Sequence, residues 1–150
     1  RPAWLLAMHR WFSALACVLI VLHLLALVAD NFVQFSWAEL FVPGASPWKT
    51  TPVALGVVAF WLIVVVQGTS LVQKRLPRDL WKFVHYFAYI AVWLTSLHGA
   101  LAGTDAGNFA YRWIALTLTF VAVGAAATRV VVGSTRAQAA KRRARREAAG

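Results

Sequence analysis

Acidic residues are scarce in this sequence: five Asp and Glu stand against fifteen Lys and Arg in 150 residues, for a net charge of +10. Cysteine is scarcer still. Cys17 is alone, which excludes an internal disulfide and any metal cluster built on CxxC spacing, and its mid-helix position suits a small buried apolar role. Neither a glycine-rich dinucleotide fingerprint nor a P-loop is present, so no soluble nucleotide-binding domain is expected within this chain. Charged residues make up only 13%. What fills their place is apolar: 61% of the residues are hydrophobic and the mean hydropathy is +0.65. A soluble domain of this size cannot hide so much apolar surface, so the lipid bilayer is the expected solvent.

Four runs, about residues 4–29, 53–73, 79–101 and 109–132, are long enough to cross about 30 Å of hydrocarbon at about 1.5 Å per residue. The expected fold is therefore all-α, a transmembrane helical bundle with four spans. The first run is too long for a signal-peptide core and lacks a small-residue cleavage site, so it reads as a true span. The chain opens on Arg1 rather than Met, which suits a fragment or processed product.

Charge placement gives orientation. Arg1 and Arg10, then Lys74, Arg75, Arg78 and Lys82, then Arg129, Arg136 and the run "KRRARR" at 141–146 fall on alternate connections. Only Lys49 and Arg112 lie in the other two loops. By the positive-inside rule the N-terminus, the loop between the second and third spans and the C-terminal tail are cytoplasmic, in a multi-pass protein of the plasma membrane. That topology already explains the basic excess, and a nucleic-acid partner is not expected. Residues 133–150 read as a basic cytoplasmic tail, helical against anionic headgroups. In the loop between the first two spans, "FSWAELF" reads as a short amphipathic turn stopped by Pro43 and Gly44, with Trp37 and Trp48 in the aromatic belt.

The four histidines are placed more pointedly. His9 and His23 lie in the first span, His85 and His98 in the third, and none lies elsewhere. Intramembrane ionisable groups are costly and mark function by default. The first and third spans run parallel, so His9 shares a depth with His85 and His23 with His98, in two layers about 20 Å apart. One imidazole from each of two facing helices is what a six-coordinate haem iron needs. Zinc fits less well, because neither layer offers a carboxylate or thiolate to complete a tetrahedron. On an ideal helix His9 and His23 share a face, while His85 and His98 fall about 140° apart. Either the third helix is distorted near Thr95, Ser96 and Gly99, or the outer group approaches it from another azimuth.

The spacing HX13H and HX12H, within "MHRWFSALACVLIVLH" and "WKFVHYFAYIAVWLTSLHG" and followed by "GTD", resembles the ferric reductase-like transmembrane domain. That domain is shared with NADPH oxidases and with the haem-binding membrane subunit of a bacterial methionine sulfoxide reductase system. "HGALAGTD" is similar to the stand-alone actinobacterial branch. The resemblance covers residues 1–132 and implies two b-type haems, an inner one on His9 and His85 and an outer one on His23 and His98. It implies an integral-membrane b-type cytochrome, an oxidoreductase or its electron-transfer subunit, moving electrons across the bilayer. It also implies helices upstream of the first histidine helix. The chain departs from the oxidases because no flavin and nicotinamide domain follows the fourth span. The donor is then a separate flavoprotein or a membrane quinol, with an extracytoplasmic acceptor or partner subunit.

Several residues are open to two readings. Arg10, Arg78, Lys82 and Arg129 suit propionates of an inner haem, and Lys49, Trp48 and Arg112 those of an outer one, or else they are topogenic charges and belt residues. Gly56, Gly68 and Gly124 admit a porphyrin or close helix packing. Phe83, Tyr86, Phe87 and Tyr89 wall a haem or face lipid. Asp30 and Asp105 attract an iron complex or a partner, or simply end helices. The competing function is a non-enzymatic membrane anchor or haem-binding sensor with one haem or none; a histidine-gated proton conductor is a third class.

Overall fold

The computed structural model describes residues 3–31, 33–103 and 107–147. It is all-α: α1 (Ala3–Ala29), α2 (Trp37–Phe41), α3 (Thr50–Leu71), α4 (Arg78–Ala102) and α5 (Phe109–Glu147), with a 3-10 turn at Gln73–Arg75.

Local chemistry sets the boundaries. Ser36 caps α2 in a capping box: its hydroxyl accepts from the Glu39 amide, and the Glu39 carboxylate accepts from the Ser36 amide. Gly44 follows at a φ of 84°, a left-handed turn that ends the element. Pro77 stands immediately before α4 and Asp79 in its first turn, where an acid complements the helix dipole. Asn108 opens α5, its side-chain oxygen accepting from the amides of Ala110 and Tyr111.

α3 and α4 form the core. Val53, Val57, Ala59 and Val66 are buried on α3, and Ala91, Leu94, Ala100 and Ala102 on α4. Alanines at this contact let the two backbones approach, as packing between helices in lipid favours. α5 packs on α4, where the Tyr111 hydroxyl donates to the Gly99 carbonyl at 2.7 Å. Lys49 ties the α2–α3 connection to the end of α4. Its ammonium donates to the carbonyls of Leu101, Ala102 and Gly103 at 3.4, 3.2 and 3.2 Å, groups that the helix end leaves without partners. α1 differs from all of these: it buries no residue and only sparsely contacts its neighbours.

Among the described residues three helices are long and apolar enough to cross a membrane: Ala3–Ala29, Thr50–Leu71 and Phe109–Gly133. The fold is an all-α transmembrane bundle. The remaining expected span, the third in chain order, is α4, which has the length at 25 residues but not the apolarity. Arg78, Asp79, Lys82, both histidines, Thr95 and Ser96 dilute it, and apolarity alone passes over a helix whose polar groups turn to its neighbours. The C-terminal region is helical through Glu147, as expected, but continuous with the last span. The helix does not pause at 133 but runs unbroken for 39 residues, about 58 Å and roughly twice the hydrocarbon thickness.

Candidate functional site

The four histidines meet in two pairs between α1 and α4. The rings of His9 and His85 lie with centroids 6.0 Å apart and planes at 80°. Those of His23 and His98 lie 6.2 Å apart at 76°. The pairing is the one that helix direction and depth require. α4 stays α-helical through both positions, with Thr95 and Ser96 donating to the carbonyls of Ala91 and Val92 at 2.8 and 2.9 Å. No helical turn is lost, so the thirteen-residue step is met by a different azimuth at each level.

α3 stands behind both α4 histidines. His98 Nδ1 lies 2.8 Å from the carbonyl oxygen of Pro52. A carbonyl only accepts, so Nδ1 carries the proton and Nε2 keeps its lone pair. His85 Nδ1 lies 3.5 Å from Ser70 Oγ. That hydroxyl donates its one proton to the Val66 carbonyl at 2.7 Å, so it accepts from His85 and from Trp81 Nε1. At this limiting distance the Ser70 hydroxyl favours a proton on His85 Nδ1. Each α4 histidine therefore has its other ring nitrogen available as a ligand. The Trp81 ring stacks on His85 at 5.0 Å and 25°.

The spacing tests what lies between the rings. A metal–imidazole bond of about 2 Å on each side, with about 1.1 Å from nitrogen to ring centre, separates two trans imidazoles by about 6 Å. Both pairs match. Among the described residues no group of three or more His, Cys, Asp or Glu is placed to hold a metal ion, so each layer offers two protein ligands. His23 and His98 line a cavity of about 540 Å³ with α1, α3 and α4 as its main walls, apolar apart from Asp30, Glu39, Trp48, Thr95 and Tyr111. This lies within the usual size range of ligand sites, about 300–1,000 Å³. A second cleft of about 510 Å³ is lined by Arg10, Gln73, Lys74, Leu76, Arg78 and Trp81, and it approaches the inner pair only through the Trp81 ring stacked on His85. The outer cavity, with two imidazoles and a mainly apolar lining, fits an apolar group with an iron centre; its charged lining residues, Asp30 and Glu39, are acidic, and the cations that suit acidic edges, Arg10, Lys74 and Arg78, line the other cleft.

The family model of the ferric reductase like transmembrane component matches residues 2–96. The chain belongs to this family. As a ferric reductase-like transmembrane component it is a membrane part of oxidoreductase type, and the family generally binds haem. The match takes in His9, His23 and His85 and ends two residues before His98. Comparisons with curated proteins and with solved structures gave no match.

Other expected residues find different employment. Lys49 holds the end of α4, and Lys82 pairs with Asp79 at 3.2 Å. Arg112 lines neither cavity, whereas Arg10, Arg78 and Trp48 do. Gly56 makes room for His98: a Cβ there would stand 2.6 Å from Nδ1 of that ring. Gly68 and Gly124 have open space around them. Phe83 pairs with Phe87 and Tyr86 with Tyr89, while Trp81 is the aromatic on His85. Asp30 follows the end of α1 and lines the cavity, and Asp105 lies outside the described residues. Ser70, Pro52 and Trp81 were not singled out as ligand supports by sequence reasoning. A serine in the last turns of one span, opposite a histidine in the first turns of the next, was the available signal.

Proposed function

We propose that this chain carries electrons across the plasma membrane through two b-type haems, one held by His9 and His85 and the other by His23 and His98. The observation that carries the reading is the double pairing of rings at the separation a shared metal requires. When bound, the haems supply one-electron redox chemistry; the protein supplies ligand identity, position and a dry surrounding.

In this reading α4 also spans the membrane, making four spans in all, and the end bearing Arg10, Lys74 and Arg78 is cytoplasmic. His85 and His98 bind through Nε2, held in that tautomer by Ser70 and Pro52. His9 and His23 would supply the second ligand of each pair from α1. Leu19, Leu24, Val57, Phe60 and Ile63 exclude water around the outer pair, and Arg10 and Arg78 neutralise carboxylates at the inner one. With two imidazoles holding each haem, an external acceptor would be reduced without binding the metal. The donor is a separate flavoprotein or a membrane quinol.

The test is electron transfer across vesicles that hold ferricyanide inside, with dithionite outside. The haem-loaded chain bleaches the trapped ferricyanide, and His98→Ala abolishes this. Equal bleaching by wild type and variant would refute the path.

A further inference from the structure

α3 contributes no histidine, yet it meets the back of both α4 histidines, and it does so unequally. The Pro52 carbonyl lies 2.8 Å from His98 Nδ1, within the range of a well-formed hydrogen bond. The Ser70 hydroxyl lies 3.5 Å from His85 Nδ1, at the far limit, and it is shared with Trp81 at 3.4 Å. The short contact is enforced. Gly56, one helical turn after Pro52, has no side chain, and the His98 ring fills that place, with three ring atoms within 2.6–2.9 Å of where a Cβ would stand.

We infer that α3 is the tuning helix of this protein: through Pro52, Gly56 and Ser70 it fixes the tautomer of both α4 histidines and makes His98 the stronger electron donor to its metal and His85 the weaker. The inference rests on the two-haem reading and adds to it an ordering of the two sites. A hydrogen bond from Nδ1–H raises the basicity of the ligating nitrogen. A more basic axial ligand favours the ferric state and lowers the potential, one of the levers a protein has on a bound haem. The ligand contribution therefore pulls the potential of the His23–His98 site down more than that of the His9–His85 site. Ser70, Pro52 and Gly56 act through the histidines and touch no reacting atom, so they are positioning residues.

The experiment has two readouts. In protein produced without haem, ring ¹⁵N shifts report the tautomers. His98 is expected as the Nδ1–H form in wild type and in Ser70→Ala alike, while His85 loses its preference in Ser70→Ala. In the haem-loaded protein, spectroscopic redox titration is expected to resolve two waves. Ser70→Ala moves one wave to more positive potential, and Ser70→Thr, which keeps the hydroxyl, restores it. Gly56→Ala drives His98 off Pro52 and moves the other wave in the same direction by a larger step. Two waves that stay put in Ser70→Ala, with His85 keeping its tautomer, would overturn the inference while leaving the two-haem reading intact. Failure to bind haem would instead remove that reading and the potential ordering, and the ¹⁵N shifts would still decide whether α3 sets the tautomers. If Gly56→Ala does not fold, the Ser70 pair decides alone.

Discussion

The rings of His9 and His85 meet with centroids 6.0 Å and planes 80° apart, although 75 residues separate them in the chain. Fourteen and thirteen residues further along α1 and α4, His23 and His98 repeat the arrangement at 76°. Perpendicular axial imidazoles leave the iron d orbitals nearly degenerate, whereas parallel ones split them. On the two-haem reading, ferric haems held by rings in this arrangement would give strongly anisotropic low-spin electron paramagnetic resonance signals. An ordinary rhombic spectrum from both sites would contradict the ring geometry.

The pairing predicts which substitutions behave alike. His23→Ala and His98→Ala should each remove one haem per chain and leave identical residual spectra. His9→Ala and His85→Ala should do the same for the other haem. Pigment analysis of the purified variants checks this, and matched losses across the two levels would break the assignment.

Lys49 reaches 52 to 54 residues along the chain to hold the last carbonyls of α4. Lys49→Met keeps the aliphatic stem and removes the donor. A cation at a helix C-terminus is worth about 1 kcal/mol when partly sheltered, so thermal unfolding in detergent should shift down by an amount of that order. Haem content should be unchanged, because the residue lines neither cavity.

Orientation is tested by labelling. In a Cys17→Ala background, Gln73→Cys should react with an impermeant maleimide only from the cytoplasmic face, and Ala45→Cys only from outside. The reverse pattern would invert the path of the electrons.

Much of this was legible in the residues because it is periodic or local. Apolar length marks the spans, Ser36 and Glu39 announce their capping box three residues apart, and nearly equal histidine spacing on parallel helices, fourteen and thirteen residues, fixes depth. What was not legible depends on helices meeting. The Pro52 carbonyl has no side-chain signature, and its role exists only because α3 packs on α4 with Gly56 beneath the His98 ring. Lys49 read as one more loop cation until the end of α4 came to lie beside it. The continuity of α5 was signalled and underweighted: "AQAAKRRARRE" is almost wholly strong helix formers, and Gly133 alone costs only about 1 kcal/mol.

The central claim rests on two metal centres per chain. Haem per chain measured by pyridine haemochrome on the detergent-purified protein, against protein concentration from amino-acid analysis, tests it most directly. Two b-type haems per chain are predicted. One haem would leave a histidine pair without its metal and break the path across the bilayer; none, in folded protein produced with haem available, would make the chain an anchor rather than a conductor of electrons.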